Sequence, residues 1–201
     1  MRRIYLCHML GVAVLHLFTF ISFIAVSDKL EVLPFALSTN LITYIIINLL
    51  GATVIFRPIQ TYLTGKSKLA AAEEGIHRLP YYSAGWAVLL VATQSSIIFF
   101  GLSPMCPNCD PEVMQPYYAS MIVLFSSFVG ISIYFLVDDF GAALRLHIFE
   151  SQGELVSLRG AGLRMKFVLA FMSVGVLPVS LSFLEAFVFG PVREQQGMTS
   201  A

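Results

Sequence analysis

Apolar residues run along this chain in long uninterrupted blocks, with the polar residues gathered between them. Five blocks are long enough to cross a bilayer as helices: residues 4–26, 33–56, 81–102, 117–137 and 167–190. A hydrocarbon core about 30 Å thick needs roughly 20 residues at about 1.5 Å each. The blocks contain no Lys, Arg or Asp, and Glu185 is their one acidic residue. They lack the period-two alternation that a transmembrane barrel requires. The pattern predicts an all-α fold, a polytopic transmembrane helical bundle of five spans. It makes residues 1–201 a single membrane domain, with long connections at 57–80 and 138–166 and a shorter one at 103–116.

Composition narrows the class. The chain is 57% hydrophobic and 12% charged, with a mean hydropathy of +0.81. Soluble domains carry about 25% charge, and disordered chains need low hydrophobicity, so both are excluded. Twelve basic and twelve acidic residues cancel, which gives no basic balance toward nucleic acid. The charges are nonetheless sorted. Arg2, Arg3, Arg57, Lys66, Lys68, Arg78, Arg145, Arg159, Arg164 and Lys166 fall on one side of the five spans, and Lys29 and Arg193 on the other. The excess of basic residues marks the cytoplasmic side. The N-terminus and the two long loops are therefore expected inside, in a multi-pass protein of the cytoplasmic (inner) membrane. Tyr81, Tyr82, Trp86, Tyr117 and Tyr118 sit near span ends, as an interfacial aromatic belt would. Arg2-Arg3, the first block and Ala25-Val26-Ser27 loosely fit a cleavable signal. The block is long for one and carries His8 and His16, so it is read as a span.

In the first cytoplasmic loop, Pro58 fits the start of a new helical segment, where a missing N–H loses no partner. Ile59, Leu63, Leu69 and Ile76 suggest a weakly amphipathic helix broken at Gly65, and Pro80 restarts the chain into the third span. The second loop has helical spacing through Leu144, Ile148 and Phe149, then a Gly-rich break. Two readings stand. The loops either lie as helices on the leaflet surface or extend the spans and carry motion inward.

Arg57-Pro58-Ile59 followed by Leu63 looks like the opening of a HAMP-type linker helix. Ala72-Glu73-Glu74 and Arg78-Leu79-Pro80 repeat the pattern of a short helix leading to a new span. Leu163 to Phe171, with Arg164 and Lys166, then Leu177-Pro178, is similar to the last hairpin before a HAMP domain. Together these resemble the six-helix membrane region of bacterial class III adenylate cyclases and related HAMP-linked sensor proteins. The chain departs from that family in lacking a sixth span, a HAMP domain and a cyclase domain, so no catalytic residue carries over. The resemblance implies the sensory or anchoring membrane part of a longer signalling protein, such as an adenylate cyclase-like or kinase-like enzyme.

Cys106-Pro107-Asn108-Cys109 is the one compact chemical constellation, and it falls on the external side, where disulfides persist. It fits a structural disulfide or free thiols, a redox dithiol, or half a metal site. A zinc site needs two more ligands and finds no external His. A redox relay needs a second pair, and Cys7 lies across the bilayer, where it reads as a small buried hydrophobe. His8 and His16 invite a haem, but His77 and His147 are both in cytoplasmic loops and His16 has no partner. No metal, cofactor or catalytic residue is expected.

Polar residues within spans are functional candidates by default. Asn40 and Asn48 are eight residues apart, about 80° off one face. Thr93, Gln94, Ser95 and Ser96 cover most of a helix circumference, so Gln94 should find a partner on another helix, and Glu185 is the acid that could meet it. These read first as interhelical glue and second as a ligand site. Ser126 and Gly130 form a small-xxx-small pair, which suggests a homodimer or larger complex. Pro178 marks a kink in the fifth span. Beside the sensory reading stand a thiol–disulfide redox protein using Cys106 and Cys109, and a small transporter or accessory subunit. The expected partner is the lipid bilayer; the ligand is not readable.

Overall fold

The computed structural model describes residues 1–11, 14, 33–102, 111–156, 163–172, 175, 179 and 182. Their regular structure is helical throughout, with no strand among the described residues. Helix α1 covers residues 2–11. It is followed by α2 (Leu33–Leu63), α3 (Leu69–Leu102), α4 (Pro111–Gln152) and α5 (Leu163–Phe171). Cys106, Cys109, Pro178 and Glu185 lie outside the described residues. The expected kink at Pro178 lies outside them too, although the backbone at Met172 and Gly175 already opens into the wider π-type turn.

Helices α2, α3 and α4 contain 31, 34 and 42 residues, so they are roughly 46, 51 and 63 Å long. Each exceeds the thickness of a hydrocarbon core. Ile45–Leu63 and Ile122–Gln152 are long and apolar enough to cross a membrane.

The two long loops are largely not loops. Pro58 does not start a segment: α2 runs through it to Leu63. Pro80 does not restart the chain: it lies inside α3. Most of the connection between Phe56 and Tyr81 is helix, and the chain reverses in residues 64–68. Helix α4 likewise absorbs Asp138 to Gln152. A proline costs one backbone bond and a clash in a helix interior. Here packing outweighs that cost, because Ile59, Tyr62, Leu79 and Ser83 around the two prolines are all buried. These segments pack against one another, so they are continuations of the long apolar helices rather than separate helices.

The reversal after α2 is written in its backbone bonds. Gly65 N–H donates to Tyr62 O (2.8 Å) and Lys66 N–H to Thr61 O (2.9 Å), with Gly65 at φ 71°. This is the Schellman arrangement, which satisfies the last carbonyls and needs a left-handed residue. Gly153 (φ 69°) ends α4 through a bond from its N–H to Phe149 O of 2.9 Å. A Gly65→Ala variant should lose about 1–2 kcal/mol of unfolding free energy, because a Cβ is strained in that region. Gly85→Ala, in open space on α3, should instead gain up to about 1 kcal/mol from helix propensity. Denaturant titration of both variants in micelles checks the opposite signs.

Helix α3 is the middle element, with α2 on one side and α4 on the other. Both neighbours approach through glycine notches. A Cβ on Gly51 would sit 2.1 Å from the Trp86 ring, and one on Gly130 would sit 2.4 Å from Val88 Cγ2. The close approach offered by Ser126 and Gly130 is therefore used within the chain, against α3, rather than left for a second copy. Trp86 is not a belt residue either, since its indole fills the notch at Gly51. Helix α1 closes the bundle. Its Tyr5 and Met9 are fully buried and join a core made by Phe56, Ile59, Ile76, Ile133, Leu144 and Ile148.

Candidate functional site

The antiparallel registers can be read from side-chain neighbours. Between α2 and α3, Gly51 faces Trp86, and Ile59 faces Gly75. Between α3 and α4, Gly130 faces Val88, Gly141 faces Ile76, and the Tyr81 and Tyr134 rings meet edge to face at 5.3 Å. In these registers Arg57, Arg78 and Asp138 fall in one layer across three helices. Asp138 forms an ion pair with Lys166, which brings the start of α5 to the same level. The layer marks where uninterrupted apolar helix gives way to charge.

Each charge in it is handled differently. Arg57 is exposed. Arg78 pairs with Glu74 one turn earlier and donates to Tyr82 Oη at 3.0 Å. Those two partners hold its guanidinium above the ordinary value, the Tyr82 hydrogen bond first. Asp138 is the enclosed member: its side chain is 11% exposed, against 39% for Lys166. Tyr134, one turn before Asp138, is buried against Tyr81, and Tyr81 in turn meets His77 at 6.1 Å.

Around this layer α1 is pinned to all three long helices. Tyr5 Oη and Ser83 Oγ of α3 share a buried hydrogen bond of 2.7 Å. The Tyr5 ring stacks on Phe56 of α2 at 5.1 Å and meets Phe140 of α4 at 5.9 Å. His8 stands edge-on to Phe140 at 5.7 Å. Asn48 Nδ2 donates to Met9 O at 2.9 Å, so Asn48 is glue between α1 and α2. On the far side of the layer α2, α3 and α4 continue as a packed stub. There Tyr62 donates to Glu154, tying the end of α2 to the segment after α4.

The other sequence-derived residues divide as follows. Asn40 lies in α2 and its side chain is outside the described residues. Gln94 has a buried Oε1 with no hydrogen-bond partner among the described residues. Arg57 and Pro58 are exposed and Leu63 packs against the core. Cys7 is exposed and free, not buried, because it shares α1 with Tyr5 and Met9 and falls between their inward-facing positions. Among the described residues no group of three or more His, Cys, Asp or Glu could hold a metal ion. The residues that sequence reasoning missed are Tyr5, Ser83 and the Asp138–Lys166 pair. Asp138 carried a usable signal, as the first charge after a long apolar block.

No protein-family model, no curated protein and no solved structure matches the chain.

Proposed function

We propose that this chain is a five-span membrane module that anchors, and conveys changes in its bundle to, the cytoplasmic side. The spans are those read from the sequence, with the N-terminus, the α2–α3 turn and the end of α4 inside. The observation that carries the reading is the unbroken passage of α2, α3 and α4 from outward-facing apolar surface, through one charged layer, into a packed stub. Leu50, Val54, Leu89, Val123 and Phe128 point outward from the three helices. A soluble core would turn such side chains in; a hydrocarbon solvent accepts them. Beyond the layer the interior is built like a soluble core, from Ile59, Ala72, Ile76, Leu144 and Ile148. That rigidity suits a module that passes displacement inward, and it agrees with the resemblance to sensor membrane regions.

The test is topology mapping with impermeant thiol reagents on intact and inverted vesicles. With the three native cysteines replaced by serine, a cysteine at Lys66 or Gln152 should label only from the cytoplasmic face, and one at Asp110 only from outside. Labelling of Lys66 and Asp110 positions from one and the same face would overturn the arrangement.

A further inference from the structure

Helix α5 meets α4 through an ion pair near its start. Its principal contact is with α4, yet Phe167, Val168, Phe171 and Met172 are all exposed. What joins it to α4 at this level is the Lys166–Asp138 ion pair. The two partners are unequally placed. Lys166 is partly exposed on a long stem, so it could reach interfacial water if the pair opened. Asp138 is enclosed, and a buried carboxylate stripped of its partner is strongly unfavourable.

A second cation is at hand. Arg145 is seven residues beyond Asp138, within about 20° of the same helix face. Its Nη1 lies 3.9 Å from where a Cβ on Gly141 would sit. The guanidinium is therefore folded back over the turn that leads to Asp138.

We propose that Asp138 and Lys166 form a latch: closed, it seats the inner end of α5 on α4; open, Arg145 takes over the carboxylate and α5 is released. The two arrangements keep the buried charge compensated in both states, which is what a two-state element requires. The placement of the latch at the inner membrane boundary rests on the reading given under Proposed function; the ion pair itself does not.

The test uses the full chain in lipid nanodiscs, with spin labels carried on a keto amino acid so that the three cysteines stay in place. Labels at Leu146 and Phe167, both exposed, report α4 against α5; labels at Leu89 and Val123 report α3 against α4. Asp138→Asn and Lys166→Gln should each raise the population of longer α4–α5 distances about tenfold, a size between an exposed and a fully enclosed pair. The α3–α4 distance should not move. The charge swap D138K/K166D should restore the closed distribution. Arg145→Gln alone should leave α5 seated, whereas K166Q/R145Q should melt earlier than K166Q. Unchanged α4–α5 distances in both single variants, or an equal change in the α3–α4 pair, would overturn the latch. A double variant as stable as K166Q would overturn the hand-over to Arg145. Failure of the chain to enter nanodiscs would count against the membrane reading, and the same distances measured in buffer would still decide on the ion pair.

Discussion

Replacing Tyr5 with Ala should lower the unfolding free energy by about 3–5 kcal/mol, the range for deleting a fully enclosed aromatic side chain. Tyr5 touches each of the three long helices: it stacks on Phe56, meets Phe140 and shares a hydrogen bond with Ser83. Removing it empties the point where α1 joins the rest. Tyr5→Phe separates the two contributions. The ring contacts remain, and the fully buried Ser83 hydroxyl loses its partner, a cost of about 1–3 kcal/mol. Adding Ser83→Ala to Tyr5→Phe should recover most of that loss, because no polar group is then stranded. Denaturant titration of the full chain in mixed micelles, followed by far-ultraviolet circular dichroism, provides the numbers. A Tyr5→Ala chain within about 1 kcal/mol of the parent would mean that α1 is not seated as described.

The second large effect is one of opposite sign to helix propensity. Gly51 and Gly130 lie inside helices, where Gly→Ala ordinarily stabilises by up to about 1 kcal/mol. Here each should destabilise by about 1–3 kcal/mol, the usual penalty for forcing atoms into filled space. The reason is contact: the added methyl would fall on the Trp86 indole in one case and on Val88 in the other. Each loss should be relieved by shrinking the intruding neighbour, with Trp86→Leu beside Gly51→Ala and Val88→Ala beside Gly130→Ala. Two double-mutant cycles, read at the unfolding midpoint, suffice. Stabilisation by Gly51→Ala alone would be incompatible with a ring lodged against that backbone.

How much of this was legible in the sequence depends on the range of the interaction. The helical class and the apolar blocks follow from composition and run length, which are local properties. The chain reversal at Gly65 was legible because only a residue tolerant of positive φ ends a helix that way. Pro58 and Pro80 misled, because their intrinsic tendency to break helices is a local signal outweighed by tertiary packing. Asp138 and Lys166 are separated by a break and a helix end, so no spacing rule joins them. Tyr5 was hidden for another reason: a tyrosine near the start of an apolar block reads as an interfacial residue, and only the meeting of four helices makes it a core residue. The notch at Gly51 is invisible for the same cause, since nothing in α2 announces the indole arriving from α3.

The unbroken course of α3 has a mechanical consequence. If α3 tilts as a stiff rod about the charged layer, that layer is its fulcrum. Of its 34 residues, the stretch from Arg78 to Leu102 gives a long arm of roughly 36 Å, and the stretch from Leu69 to Arg78 a short arm of roughly 14 Å. A sideways shift of about 4 Å at the far tip of the long arm would then arrive at the other tip as about 1.5 Å in the opposite direction. The place of the charges along the helix would set both the reduction and the reversal.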